Sequence, residues 1–302
     1  MDQKLINTLG DIILKHSGVR ACEINWGMQR DLHKHLEESL EKGKGSLHLV
    51  MQAFPCKIPG HTGRTLGILP DEGEAQALAK LSDLCDDLSR HVPTKLSLVS
   101  EGHVVSDLLG VSDEDVDQYQ KALRALPRSP RVEFNTVAAD QLGCWLGDPP
   151  ADYIRAKMSI RDPMINGAAK ARHEVVCDTL SSKVDMCHTM ASIHSQGKDG
   201  WNVFQERCTH LAQQFCERSA NHAALVRKVM PEAMWLTPHK TDNWSEATPF
   251  RLSGSQVWST PWNSVPLHDP ATGETNGVPH AAARDRHSRL EHKNGQPWRY
   301  VA

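Results

Sequence analysis

Nowhere does the 302-residue sequence reach the roughly 20 consecutive apolar positions that a membrane-spanning helix requires. The opening MDQKLINTLGDIILKH is amphipathic and lacks the uninterrupted apolar centre of a secretory signal, so a cytoplasmic protein is expected. An excess of one charge is missing as well. The net charge is −3 and the sequence pI about 6.6, which leaves no electrostatic footprint for nucleic acid or an anionic membrane. The eight cysteines (Cys22, Cys56, Cys85, Cys144, Cys177, Cys187, Cys208 and Cys216) form no CxxC pair. Neither a zinc knuckle nor a disulfide framework is indicated, and most of the eight are expected to be small buried hydrophobes. No GxGxxG follows the N-terminal strand candidates, and GHTGRTLG lacks the Lys-Ser/Thr ending of a phosphate loop. Both absences argue against a nucleotide-dependent dehydrogenase or transferase. The histidine pairs His188 with His194 and His287 with His292 have no zinc-ligand context, so no metal is expected. Internal repeats and low-complexity segments are absent too.

What is present is a globular composition, 39% hydrophobic, sufficient for one large core. Leu5, Ile6, Leu9, Ile12, Ile13 and Leu14 lie at helical spacing over 3–16, and Leu32, Leu36 and Leu40 repeat it over 28–42. After the Gly43 to Gly45 break, LHLVMQAF at 47–54 reads as a buried strand. Glu72 to Arg90 reads as a helix with Leu78, Leu81, Leu84, Cys85 and Leu88 on one stripe, and KLSLVS at 95–100 as the next strand. Strand, loop, helix and strand in that order favour a right-handed crossover and a parallel sheet. Ser112 with Asp115 predicts the start of a further helix running to about Leu126. Val132 to Asn135 is a short strand candidate, 151–228 reads as mostly helical, Pro231 to His239 and Pro249 to Trp258 read as extended, and NGQPWRYVA closes the chain with a turn and a strand. The expected organisation is a single domain over 1–302. Its parts are N-terminal helices in 1–44, an α/β core in 45–135, a mainly helical stretch in 136–230 and C-terminal strands and turns in 231–302.

The stretch around which these elements are arranged is FPCKIPGHTGRTLGILPDEGE, residues 54–74. It gathers Lys57, His61, Arg64, Asp71, Glu72 and Glu74 among glycines and prolines, so its charges are not spread over a helix face. A polar loop this long between strand and helix is uncommon unless it binds something or is disordered, and its apolar Phe54, Ile58, Leu66, Ile68 and Leu69 argue for order. His103, Ser106 and Asp107 follow the second strand, at the carboxyl edge where open α/β sheets bind ligands. Bland alternatives stand beside each: Lys57 as a solvated cation, Asp71 and Glu74 as carboxylates favoured at a helix start, Asp107 as a turn or cap residue, Trp262 as core.

These stretches resemble the isocyanide (isonitrile) synthases of the pyoverdine and dityrosine biosynthesis family. The first signature, FPxKSPNxxKxLGxLPDxxE in the family, is met here by Phe54, Pro55, Lys57, Pro59, Leu66, Gly67, Leu69, Pro70, Asp71 and Glu74. The second is met by Gly102, Val104, Ser106 to Val111, Asp113, Val116 and Tyr119. Further on, His239 falls on the histidine of the family's RLSIHP, TPWNSV at 260–265 is similar to its TPWHSV, and Asn294 to Tyr300 to its closing motif. Departures occur at Ile58 and Gly60, at Arg64 in place of a second lysine, at Glu101 and His103 around Gly102, and at Asn263 in place of a histidine.

The resemblance implies an α/β, Rossmann-like fold, with a mostly parallel sheet, flanking helices and a helical C-terminal portion. It also implies a reaction of an α-amino acid with ribulose 5-phosphate as co-substrate, without metal or redox cofactor. A downstream oxygenase is left open as a functional partner. Lys57 and Arg64 suit the sugar phosphate; His61, His103 and His239 are candidate bases; Asp71, Glu74 and Asp107 suit the substrate ammonium or its proton. Ser106 and Asn263 join the set through their motifs, and Trp262 is placed to wall the amino-acid side chain. The departures leave open a different amino acid or sugar, an N-formyl product, or a non-catalytic binding partner.

Overall fold

The computed structural model describes residues 2–58, 65–106, 109, 111–135, 215, 219, 222–254, 258–285 and 288–302. Residues 1–100, 117–135 and 231–302 form one compact unit and 101–116 with 136–230 another.

In the first unit, α1 (Gln3–Ser17) starts where the Asp2 carboxylate accepts from the Lys4 N–H. It ends at Gly18, whose φ of 70° is the left-handed cap that glycine adopts without a Cβ penalty. The helix α2 (Trp26–Lys42) is capped by the Asn25 side chain on the Met28 N–H. These helices and α3 (Glu72–Leu88) turn Ile6, Leu9, Leu32, Leu36, Leu78 and Leu81 onto one face of a sheet, where they share a core with Leu49, Leu96 and Met234.

That sheet holds β1 (Leu47–Gln52), β2 (Thr94–Val99), β3 (Val132–Asn135), β4 (Met234–Thr237) and β5 (Thr248–Pro249) in the order β3-β2-β1-β4-β5. All the pairings are parallel. The fold is α/β and Rossmann-like, as expected. The extended stretch expected from Pro249 to Trp258 contributes only the two residues of β5, whose Pro249 has no N–H with which to propagate a ladder.

A second sheet was not legible in the sequence beyond its last strand. It comprises β6 (Val265–His268), β7 (Thr275–Val278), β8 (Arg289–Lys293) and β9 (Gln296–Val301), ordered β7-β6-β9-β8 with both parallel and antiparallel pairings. Strands of four residues interrupted by Pro266 or Gly277 carry too little alternation to be read. The closing turn was readable: Asn294 (φ 53°) and Gly295 (φ 79°) are both left-handed, as a two-residue hairpin demands. Arg299 on β9 donates to Glu72 at 2.9 Å, tying this sheet to the start of α3.

In the second unit, α4 (Gly102–Val105) is one turn long, and α5 (Asp113–Arg124) runs from there into the first unit. Ser112 accepts from the Asp115 N–H at 3.0 Å, so the expected cap forms. The helical reading of 151–228 lies mostly outside the described residues; 222–229 are helical. No helix among the described residues is long and apolar enough to cross a membrane.

Candidate active site

The chain leaves β1 through Phe54, which has φ 56° and a fully buried ring. A left-handed backbone at an aromatic residue costs about 1–3 kcal/mol. Burying such a side chain yields about 1.5–3 kcal/mol. The edge-on packing of its ring against Trp262, 5.2 Å between centroids, adds about 0.5–1.5 kcal/mol. Two donors hold the strained carbonyl, Gln120 Nε2 at 2.6 Å and Ser100 Oγ at 3.1 Å. The packing therefore outweighs the strain, and the turn drives the next residues inward.

Lys57 ends up with its ammonium between two carboxylates, 2.6 Å from Asp71 Oδ2 and 2.9 Å from Glu74 Oε2, all three side chains at most 1% exposed. The sequence sets this up locally. Asp71 is the N-cap of α3, and Glu74 is three residues on, the spacing of a capping box. Asp71 Oδ1 accepts from the Gly73 N–H at 2.8 Å, and Glu74 Oε2 accepts from the Asp71 N–H at 2.9 Å. The remaining oxygen, Glu74 Oε1, accepts from the Tyr119 hydroxyl at 3.1 Å. Every carboxylate oxygen of the pair thus has a donor. Asp71 and Glu74 fill the helix-start role expected as the bland alternative, and they also pair with Lys57, a contact that was not expected from the sequence.

The cluster holds one cation and two carboxyls in a site closed to water, so proton affinities are displaced. Burial pushes the Asp71 carboxyl well above its usual range despite Lys57 beside it. Burial pulls Lys57 down, but the Asp71 and Glu74 charges and hydrogen bonds hold its ammonium above the ordinary lysine value. Burial, then the Glu74 charge, push the Tyr119 phenol well above its usual value. Near neutral pH the lysine and phenol are protonated, and burial makes the Asp71 carboxyl hold a proton more readily than an exposed one.

Of the other expected residues, His103 and Ser106 come together in the second unit, their side chains 3.1 and 3.4 Å from Asp113 Oδ1. Trp262 is partly buried against Phe54, and Asn263 beside it is exposed. His239 is exposed beyond the end of β4, its N–H directed to Thr237 Oγ1 at 3.3 Å. His61, Arg64 and Asp107 lie outside the described residues. Tyr119 and Gln120 were missed as site residues. The signal was present, since Val116, Tyr119, Gln120 and Leu123 follow helical spacing and two of them put polar atoms on a core-facing stripe.

A parallel sheet with helices on its face, a strained turn after its central strand and a buried charged cluster at the start of the following helix define a Rossmann-like α/β protein. The family model described as "Pyoverdine/dityrosine biosynthesis protein" matches residues 38–290, and the chain belongs to that family. It is 27% identical over 235 residues to the L-tryptophan isonitrile synthase AmbI2 of Fischerella ambigua, covering 74% of this chain and 68% of that one. It is 38% identical over 287 residues to the isocyanide synthase xanB of Aspergillus fumigatus, covering 85% of this chain and 36% of that much longer protein. The L-tyrosine isonitrile synthase of Xenorhabdus nematophila is 22% identical over 277 residues, 87% of this chain and 79% of that one. The crystal structure of the PvcA protein from Pseudomonas aeruginosa shares the fold, with a TM-score of 0.78, 17% identity and 99% of each chain covered.

Proposed function

We propose that the protein is an isonitrile synthase that converts the amino group of an α-amino acid using ribulose 5-phosphate as the carbon donor. The observation that carries this reading is that Lys57, Asp71, Glu74 and Tyr119, all positions of the two family signatures, converge on one buried cluster. In the proposed reaction the amine condenses with the ketose carbonyl, phosphate and water leave, and carbon–carbon cleavage leaves one sugar carbon on nitrogen. Such a sequence needs groups that take up and return protons, and the Asp71 carboxyl, raised by burial above its usual range, supports that role. Lys57 has three N–H donors and spends two on the carboxylates, so one is left for a substrate oxygen. Arg64 is assigned to the phosphate, and Trp262 to the wall of the amino-acid side chain. Ribulose 5-phosphate is read as a co-substrate, with no metal or redox cofactor, and the setting as cytoplasmic secondary metabolism with a downstream oxygenase as the coupled partner.

The test is incubation of purified protein with an amino-acid pool and ribulose 5-phosphate labelled at the ketone carbon, followed by mass spectrometry. The expected product retains the label and, relative to one amino acid, gains a carbon and loses two hydrogens. A labelled formamide assigns the N-formyl branch. Consumption of neither component rejects the synthase reading.

A further inference from the structure

The face of the parallel sheet opposite the helices α1 to α3 carries a line of polar side chains unrelated to the family signatures. Glu232 Oε1 lies 2.8 Å from His48 Nδ1, His48 Nε2 lies 2.8 Å from Ser97 Oγ, and Asn135 Nδ2 lies 2.6 Å from the same Ser97 oxygen. His48 and Ser97 are 5% and 1% exposed, so the bond between them is shielded from water, while Glu232 and Asn135 at the two ends are partly exposed.

The line has one consistent direction. Burial raises the Glu232 carboxyl, but the hydrogen bonds from His48 and from its own backbone N–H, with the His48 and Lys95 charges, together hold it below its usual value, so Glu232 is a carboxylate and His48 Nδ1 carries the proton it accepts. Burial pulls His48 below its ordinary value, so near neutral pH the ring is uncharged and Nε2 accepts. The donor to Nε2 is then the Ser97 hydroxyl, whose oxygen is left to accept from Asn135. The orientation of the Asn135 amide is therefore set through Ser97 by His48, two strands away. Ser97, His48 and Glu232 are the residue types of an acyl-transfer triad. Ser97, however, is mid-strand in β2, closed to solvent and already engaged by Asn135, so the line orients rather than acylates.

Asn135 is the last residue of β3, at the carboxyl edge where open α/β sheets take their ligands. It is partly exposed, and its Oδ1 accepts nothing from the described residues. We propose that Asn135 is a substrate-contacting residue, with its amide held by Ser97 and His48 so that Oδ1 accepts a hydrogen bond from an ammonium or hydroxyl of a small-molecule substrate. Ser97 and His48 are its positioning residues. The assignment rests on the synthase reading for the identity of the two co-substrates.

Steady-state kinetics of the native chain, Asn135→Ala, Ser97→Ala and the double variant test it. Asn135→Ala raises the KM of one co-substrate about tenfold, the loss of one directed hydrogen bond, with kcat within about twofold. Ser97→Ala moves the same KM in the same direction, and the double variant equals Asn135→Ala, because both act on one contact. A change in the amino-acid KM assigns the ammonium; a change in the ketose-phosphate KM assigns the hydroxyl. Unchanged KM values in Asn135→Ala, effects that multiply in the double variant, or capture of Ser97 by a fluorophosphonate overturn the proposal. Thermal-shift titrations with amino acids and with ribulose 5-phosphate separate the two readings. A native chain that makes no product rejects the synthase, whereas an Asn135→Ala shift identical to the native one, including none in either, overturns the Asn135 contact.

Discussion

Replacing Lys57 with methionine keeps the length and apolar stem of the side chain and deletes the ammonium. The Asp71 and Glu74 carboxyls would then face each other at no more than 1% exposure, retaining only the Gly73 and Asp71 N–H groups and the Tyr119 hydroxyl as donors. Removing one partner of a buried ion pair costs about 3–5 kcal/mol, because the charge left behind is uncompensated. That is a large share of the roughly 5–15 kcal/mol by which domains are stable. The loss shrinks as pH falls, because Asp71, whose carboxyl burial already raises, takes up a proton and leaves a single charge. The triple variant Lys57→Met/Asp71→Asn/Glu74→Gln should recover most of the stability, since asparagine still caps α3 and glutamine still accepts from Tyr119. Urea unfolding followed by circular dichroism measures each step. A Lys57→Met protein with the native midpoint at pH 8, or a triple variant no more stable than the single one, would refute the buried-cluster reasoning. The folded triple variant also isolates function. It is expected to form no isonitrile, and normal turnover would make the cluster a purely structural clamp.

Tyr119→Phe removes the only donor to Glu74 Oε1 among the described residues and should lower stability by about 2 kcal/mol, read from the same urea curves. Lys57 and Tyr119 both hold their protons more tightly folded than unfolded, so their contribution is complete below about pH 10 and is lost as pH rises beyond it. With both groups titrating, stability should fall by about 3 kcal/mol per pH unit there, and by about half that in Tyr119→Phe. Burial lowers His222 to about 4, so it is neutral when folded while the unfolded histidine charges near pH 6.5. Its contribution is present above that value and lost on acidification, about 2 kcal/mol between pH 7 and pH 5, and His222→Gln should flatten that part of the profile.

Local patterns determined a good deal. The leucine and isoleucine spacing placed α1 and α2, the apolar stripe placed α3, and Val132 to Asn135 was readable as a strand, because burial of one face imposes a period that the sequence itself displays. The 54–74 stretch stood out for the same reason in reverse, since its charges follow no period. The mixed sheet of β6 to β9 escaped because short strands interrupted by proline and glycine display none. Tertiary structure alone decided which charges meet. Lys57 reaches Asp71 and Glu74 across 14 and 17 positions, and Tyr119 reaches Glu74 across 45, because the strained turn at Phe54 and the crossover from β1 to β2 fold those positions together. Spacing along a chain carries no record of such reversals. The line from Glu232 to Asn135 shows this most clearly: its residues come from separate parts of the sequence, and only the parallel register of the strands brings them within hydrogen-bond reach.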